Sequence, residues 1–321
     1  MIQKVLICGY GSIGKKYFNL IKSNWKKIDI ALLRSKQDSK NITNDDHLNF
    51  YSLKNATNWK PSAAIISSPA PFHLDQATYL AREGIPLLIE KPLGIDSQLD
   101  NEWNDLRKSS KSIPILLGYV LRHDPAYKAI KDWLKNDKIG KIIEASFICG
   151  SWLPSWRNNT NYKKTVSARS ELGGGVLLEL SHELDLMNSL FGDLDIKSSI
   201  ISNSNLLNIN VEDNVQVSAL SKSKISLYLS LDFCTKPPIR NIIIRGSEGR
   251  INWDIISGEL VYIDSRNREI IKNYSTNPLD RLKNELEHFF DCCQKKIKPI
   301  VTIEDGLKVL NYIREIRSIN K

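Results

Sequence analysis

The sequence predicts an α/β domain on a doubly wound parallel sheet, followed by an α+β domain with a mostly antiparallel, open sheet. Three observations carry this expectation. The first 120 residues alternate short, continuous apolar runs with helical patterns, as strands buried on both faces require. A glycine-rich turn, Gly9-Tyr10-Gly11-Ser12-Ile13-Gly14, directly follows the first of those runs. Beyond residue 120 the texture changes to period-two alternation, clearest where Ile225, Leu227, Leu229, Leu231 and Phe233 share a face.

The elements are justified in chain order. Residues 5–8, 28–33, 63–66, 87–89 and 115–117 read as buried strands, and 12–22, 73–83 and 96–109 as helices. Residues 35–60 are polar and weakly patterned, with one short strand around Phe50-Tyr51. Domain boundaries fall at 1–120 and 121–321. In the second domain 125–135 is helical and 141–148 extended, and Gly173-Gly174-Gly175 opens a helical pattern running to about Leu190. Residues 242–245, 249–253 and 260–263 continue the sheet, with Gly246-Ser247-Glu248-Gly249 as a turn. Helices at 280–295 and 304–319 close the chain and can pack back on the first domain.

Composition removes several classes of function. With 321 residues, 41% hydrophobic and 25% charged, the chain is neither disordered, fibrous nor a disulfide scaffold. The net charge of +9 is scattered, its densest runs being pairs such as Lys15-Lys16 and Lys163-Lys164. It reads as a solvated surface rather than a nucleic-acid face. The five cysteines are odd in number and form no CxxC pair, which suits buried thiols in a reducing compartment. A strand begins at once, without signal-peptide architecture, and no run approaches the ~18 apolar residues of a membrane span. The expectation is a cytoplasmic protein without a membrane partner.

The glycine-rich turn is G-x-G-x-x-G after a strand and before a helix, the context of a dinucleotide site. Its glycines let Gly9, Gly11, Ser12, Ile13 and Gly14 bring backbone N–H groups to a pyrophosphate at a helix N-terminus. At the end of the second strand stand Arg34, Ser35 and Lys36, where an acid would hold a ribose hydroxyl and an Arg would accommodate a 2′-phosphate. Asp29 lies five residues earlier, about 16 Å at ~3.3 Å per residue. The pattern leans to NADP over NAD. Ser68-Pro69 with His73, and Glu90-Lys91-Pro92, follow further strands at the edge where such sheets bind ligands. There Lys91 could stabilise negative charge on a substrate oxygen.

Glu179, His182 and Asp185 are spaced i, i+3, i+6, and on one helix they would share a face. A histidine beside carboxylates can pass a proton to or from an alcohol oxygen. Two E-x-x-H pairs, Glu179/His182 and Glu285/His288, raise a di-iron reading, but that site needs four packed helices that the strand content does not supply. No metal is expected. Trp152, Trp156, Arg157, Tyr162, Lys163 and Arg169 form an aromatic and cationic segment suited to sugar faces and an anionic group.

Taken together, these residues resemble the Gfo/Idh/MocA family of NAD(P)-dependent oxidoreductases. The resemblance rests on Gly9-x-Gly11-x-x-Gly14, Ser68-Pro69 with His73, Glu90-Lys91-Pro92, and Gly118-Tyr119 with Arg122 and Pro125. Gly173-Gly174-Gly175 leading to His182 and Asp185, Gly246-x-Glu248-Gly249 and Glu304-Asp305-Gly306-Leu307 extend it nearly end to end. It implies a Rossmann domain, a second domain whose open sheet mediates homo-oligomerisation, and Lys91 and His182 as the catalytic pair at the domain interface. It also implies cofactor contacts from Glu90 and His73, and substrate contacts from Arg122 and Asp185. Much of the family carries an aspartate four residues before the histidine; here Glu179 stands three before. With Trp156-Arg157 and Tyr162-Lys163-Lys164, the chain is similar to members of bacterial surface-polysaccharide or acidic-sugar pathways. The expected reaction is hydride transfer between NADP(H) or NAD(H) and a secondary alcohol or ketone of a sugar, nucleotide sugar or acidic sugar. An NAD-dependent glycosidase-like reaction and a non-catalytic dinucleotide sensor are the alternatives.

Overall fold

A computed structural model describes residues 2–35, 47–95, 97–157 and 160–319. The chain divides into two compact units, Met1–Val120 with Leu279–Leu307, and Leu121–Pro278 with Lys308–Lys321.

The first unit is built on β1 (Lys4–Cys8), β2 (Asp29–Leu33), β3 (Leu48–Phe50), β4 (Ala63–Ile66), β5 (Leu87–Glu90) and β6 (Ile115–Gly118). Their order is β3-β2-β1-β4-β5-β6, with every neighbouring pair parallel. The chain winds outward from β1 in one direction and from β4 in the other, leaving a topological switch point between them. The strands β4, β5 and β6 are buried along their whole length, as a sheet covered on both faces demands. Helix α1 (Ser12–Asn24) buries Gly14, Tyr17, Phe18 and Ile21, a stripe of helical period.

The described part of the polar segment after β2, residues 47–60, is more ordered than its sequence suggests. It contains α2 (Leu53–Asn58), capped where the Asn55 N–H donates to Ser52 Oγ at 3.3 Å. Helix α3 (His73–Arg82) agrees with expectation. The helix expected over 96–109 is instead a single-turn 3-10 segment, Asp100–Trp103, running into the short α4 (Asn104–Ser109). Fully buried Trp103 anchors it; Asp96 lies outside the described residues.

In the second unit, α5 (Pro125–Lys135) is capped by Asp124, whose Oδ1 accepts from Ala126 N at 2.7 Å. Strand β7 (Ile142–Gly150) follows, then α6 (Val176–Glu179) and α7 (His182–Phe191). The remaining strands are β8 (Leu194–Ser202), β9 (Asn214–Ser221), β10 (Ser226–Asp232), β11 (Ile239–Gly246), β12 (Gly249–Asp254), β13 (Glu259–Asp264) and β14 (Glu269–Asn273). The order is β14-β13-β12-β11-β7-β10-β9-β8, antiparallel except between β7 and β10. One face buries Phe147, Val217, Leu229, Ile244 and Trp253. The other is mostly half-exposed, with Ser146, Ser218 and Tyr228 among its residues.

The helix expected from residue 176 to about 190 is broken. Leu180 leaves helical geometry at φ −101°, ψ 30°, and the ladder restarts when Asp185 N donates to Ser181 O at 3.1 Å. Helices α8 (Pro278–Lys295) and α9 (Ile303–Ile319) end the chain, α8 from Leu279 onward belonging to the first unit. All five cysteines are free thiols, and burial pushes that of Cys8 up to about 12, leaving it unreactive. Among the described residues no helix is long and apolar enough to cross a membrane.

Candidate active site

In the first unit the parallel sheet sets the geometry, because every strand delivers its following loop to the same carboxyl edge. Gly9 follows β1 at φ +91°, and a Cβ there would sit 2.7 Å from Ser68 N. A Cβ on Gly14 would collide with the Gly9 carbonyl oxygen. Ser67 bolts this turn to the end of β4: its N–H donates to Cys8 O at 2.8 Å, and its Oγ lies 2.9 Å from Gly9 O. Gly11 differs from both, because apart from its two chain neighbours no heavy atom of a described residue lies within 4 Å of where its Cβ would be. Packing inside the protein explains Gly9 and Gly14, and it does not explain Gly11. At the start of α1 the first helical bond is Lys15 N to Gly11 O at 3.0 Å, with no side-chain cap and no acid in the first turn. The N–H groups of Ser12, Ile13 and Gly14 therefore form an anion-accepting helix end.

At the end of β2, Arg34 N donates to Phe50 O at 2.9 Å. Its guanidinium lies 5.6 Å from the Tyr10 ring centroid, and Lys15 Nζ lies 5.5 Å from the same ring. Two cations thus flank the aromatic residue inside the glycine turn. Asp29 pairs in register with Lys4 at the opposite end of β2. Ser35 is exposed, and Lys36 lies outside the described residues.

His73 braces two of the loops. Its Nε2 lies 2.7 Å from Ser68 O and its Nδ1 3.0 Å from Pro92 O. Burial lowers its pKa, against the two carbonyl contacts, which favour the protonated ring. The Ser68 hydroxyl donates to Gln76 Oε1 at 2.8 Å, and Pro69 opens the turn Ala70–Phe72. Half-buried Lys91 follows β5, and the Lys91–Pro92 peptide is cis. Glu90, expected among the cofactor contacts, points inward instead. Its Oε1 accepts from Tyr17 Oη at 2.5 Å and its Oε2 from Lys91 N at 3.2 Å. The carboxyl supports the loop from beneath.

In the second unit His182 is the first residue of α7 and is half-buried. Because the helix breaks at Leu180, Glu179 ends α6, and Glu179, His182 and Asp185 do not line one continuous helical face. Arg122 and Asp185, expected as substrate contacts, hold each other. Arg122 Nε and Nη2 each donate to an Asp185 oxygen at 2.8 Å, and both side chains are buried. This two-pronged geometry is the one that offsets burying an ion pair. Glu183 is similarly engaged, its Oε1 accepting from Arg240 Nε at 2.6 Å. The acids opening α7 favour its N-terminus electrostatically and orient it through these arginines.

The aromatic and cationic segment separates into two parts. Trp156 packs edge-on against Phe233 at 5.3 Å and donates from Nε1 to Ser151 Oγ at 2.8 Å. Tyr162 Oη donates to Leu207 O at 2.9 Å. Trp156, Arg157 and Tyr162 line only a tight crevice of about 10 Å³. Lys163 and Arg169 instead line a cavity of about 370 Å³, together with Lys164, Glu171, Asn208 and Asn210. Arg169 forms an ion pair with Glu171 at its rim, at 2.6 Å.

Sequence reasoning missed Tyr17 and the role of Glu285, whose Oε2 lies 2.8 Å from Tyr17 Oη. A signal exists: Leu282, Glu285, Leu286 and Phe289 form the buried stripe of α8, and a carboxylate in such a stripe needs a partner. His288, read with it as a metal pair, accepts at Nε2 from Ile300 N at 3.1 Å. Among the described residues no group of three or more His, Cys, Asp or Glu is arranged to hold a metal.

Comparisons with known proteins agree with the fold of both units. Residues 3–113 match the model of an oxidoreductase family with an NAD-binding Rossmann fold, and residues 127–252 match the model of the GFO/IDH/MocA C-terminal domain. The rhizopine catabolism protein MocA of Rhizobium meliloti is 27% identical over 129 residues, which are 40% of this chain and 37% of that protein's own length. Myo-inositol 2-dehydrogenase from Lactobacillus plantarum shares the fold at a TM-score of 0.81 with 18% identity, over 99% of this chain and 97% of the other. A levoglucosan dehydrogenase in complex with NADH and levoglucosan also superposes at 0.81, with 15% identity, over 98% of this chain and 96% of the other.

Proposed function

The chain belongs to the Gfo/Idh/MocA family of oxidoreductases, and from that premise we propose that it transfers a hydride between NADP(H) and a secondary alcohol or ketone carbon of a sugar-type substrate. Gly11 carries the cofactor half of this reading. A glycine whose Cβ would meet no described atom, at an uncapped helix N-terminus, is the form a backbone takes to admit a pyrophosphate. A nicotinamide dinucleotide bound there supplies the hydride-carrying carbon. Gly9, Gly11, Ser12, Ile13 and Gly14 hold the phosphates, while Ser68, Pro69 and His73 shape the adjoining loop.

This chain's own residues supply the rest of the chemistry. Lys91, a cation at the carboxyl end of β5, polarises the reacting oxygen and stabilises the charge that develops on it. His182 exchanges the proton of that oxygen. Glu179 is the carboxylate assigned to orient the His182 ring, because both Asp185 oxygens are held by Arg122. Arg34 with Lys15 beside Tyr10 suits the 2′-phosphate of NADP(H). The Lys163, Lys164 and Arg169 cavity suits a carboxylate or phosphate, which favours acidic or nucleotide sugars. The half-exposed face of the second sheet presents Ile200 and Tyr228, 61% and 44% exposed, as a self-association surface for a homo-oligomer.

Three outcomes test these points. Lys91→Ala and His182→Ala each lower turnover by roughly 10²–10⁴-fold in a cofactor-absorbance assay over a panel of polyols, glycosides and nucleotide sugars; near-normal turnover in either variant contradicts its assignment. Arg34→Ala weakens NADPH binding by roughly tenfold or more, as loss of a charge-assisted contact should, and leaves NADH binding unchanged. Equal effects on the two cofactors remove the NADP preference. Light scattering finds a dimer or larger in solution, whereas a monomer at all concentrations rules out the sheet face as an interface.

A further inference from the structure

The chain buries a three-residue polar cluster under the site, drawn from three separate elements of the first unit. Tyr17 on α1 stands between Glu90 at the end of β5 and Glu285 on α8. Its Oη is 2.5 Å from Glu90 Oε1 and 2.8 Å from Glu285 Oε2. The cluster is nearly sealed, with Tyr17 and Glu285 both 0% exposed and Glu90 9%.

Counting protons restricts its state. A phenol carries one hydrogen and can donate to one carboxylate only. If both carboxyls were ionised, the second contact would set two oxygen lone pairs against each other and bury two like charges on one hydroxyl. One carboxyl must therefore carry a proton and donate it to Tyr17 Oη. The surroundings decide which one. Burial raises the Glu90 pKa, but the hydrogen bonds from Tyr17 and Lys91 N and the charges of Lys91 and Lys16 oppose that rise and favour its charged form. Among the described residues, the polar groups that act on Glu285 are the phenol and the opposing Glu90 charge, and its Oε1 has no hydrogen-bond partner there. An unpartnered buried oxygen is tolerable on a neutral acid and very costly on a carboxylate.

We infer that Glu285 holds a proton at neutral pH and donates it to Tyr17, which donates in turn to an ionised Glu90, so that Glu285 and Tyr17 are positioning residues for Lys91. The relay runs one way: Glu285 O–H to Tyr17 Oη, Tyr17 O–H to Glu90 Oε1, and Lys91 N–H to Glu90 Oε2. It fixes the Lys91 backbone from below and keeps a single negative charge beside its ammonium group. Burial and the Glu90 charge both push the Glu285 pKa well above the ordinary carboxylate value, in keeping with that assignment. Gly118 on β6 closes the cluster at its side, since a Cβ there would lie 3.1 Å from Glu90 Cα. The positioning role rests on the function proposed for Lys91; the proton on Glu285 does not.

Infrared difference spectra of the whole protein test the proton directly. At neutral pH, wild type minus Glu285→Gln shows the carbonyl stretch of an un-ionised carboxylic acid, and wild type minus Glu287→Gln, an exposed neighbour on α8, does not. Kinetics test the relay. Tyr17→Phe and Glu285→Leu lower kcat by roughly ten- to a hundredfold, as a misplaced group does, without changing cofactor Kd. Glu285→Gln, whose amide also donates to the phenol, recovers most of that loss. The inference is overturned if the difference spectrum lacks the band, or if Glu285→Gln loses as much kcat as Glu285→Leu. Should Glu285→Leu fail to fold, the band and the comparison of Glu285→Gln with Tyr17→Phe still decide the question.

Discussion

The close approach of the β1–α1 turn to the end of β4 is the constraint on which the first unit depends. Gly9 and Gly14 have no side chains because Ser67, Ser68 and the turn itself occupy the space a Cβ would need. That contact sets where α1 begins, and therefore where Tyr17 enters the interior one turn later. It also holds the loops after β1 and β4 against each other at the sheet's switch point, the place where such sheets take ligands. His73 carries the bracing one strand further, through Ser68 O and Pro92 O.

The second unit solves a different problem with similar means. Its candidate proton-transfer residue sits at a helix start that two ion pairs hold in place, the buried pair of Arg122 with Asp185 and half-buried Arg240 with buried Glu183. A pair of that kind contributes little net stability but punishes loss of either partner, by about 3–5 kcal/mol. The acids of α7 thus serve its orientation more than its chemistry. In both units the charged residue next to the candidate catalytic one faces inward: Glu90 beside Lys91, Glu183 beside His182.

Much of this was legible in the sequence, and the gaps have physical causes. Continuous apolar runs marked the parallel strands because burial on both faces leaves no polar positions, and the glycine pattern located the cofactor edge because close backbone approach admits nothing else. Period two located the second sheet for the same kind of reason. The break at Leu180–Ser181 was not legible, since 176–190 reads as a continuous helical pattern and only tertiary context interrupts it. Nor was the pairing of Arg122 with Asp185, 63 positions apart, because spacing along a chain says nothing about distant partners. Glu285 stands in the sequence as a carboxylate in an apolar stripe, but its E-x-x-H spacing suggests only a metal reading that the strand content rejects, and the partner that explains it lies 268 positions away.

The central claim is that the glycine turn exists to admit a dinucleotide, and Gly11→Val isolates it. A Cβ at this position would meet no described atom beyond its chain neighbours, so the variant should fold, its thermal midpoint lowered by no more than the roughly 1 kcal/mol that Val costs at a helix N-cap. Binding of reduced nicotinamide cofactor, read by fluorescence titration, is the measurement. Tight binding by the wild type and its loss in a fully folded Gly11→Val variant is the predicted result. Undiminished binding by that variant, or no binding of either cofactor by the wild type, would contradict the claim.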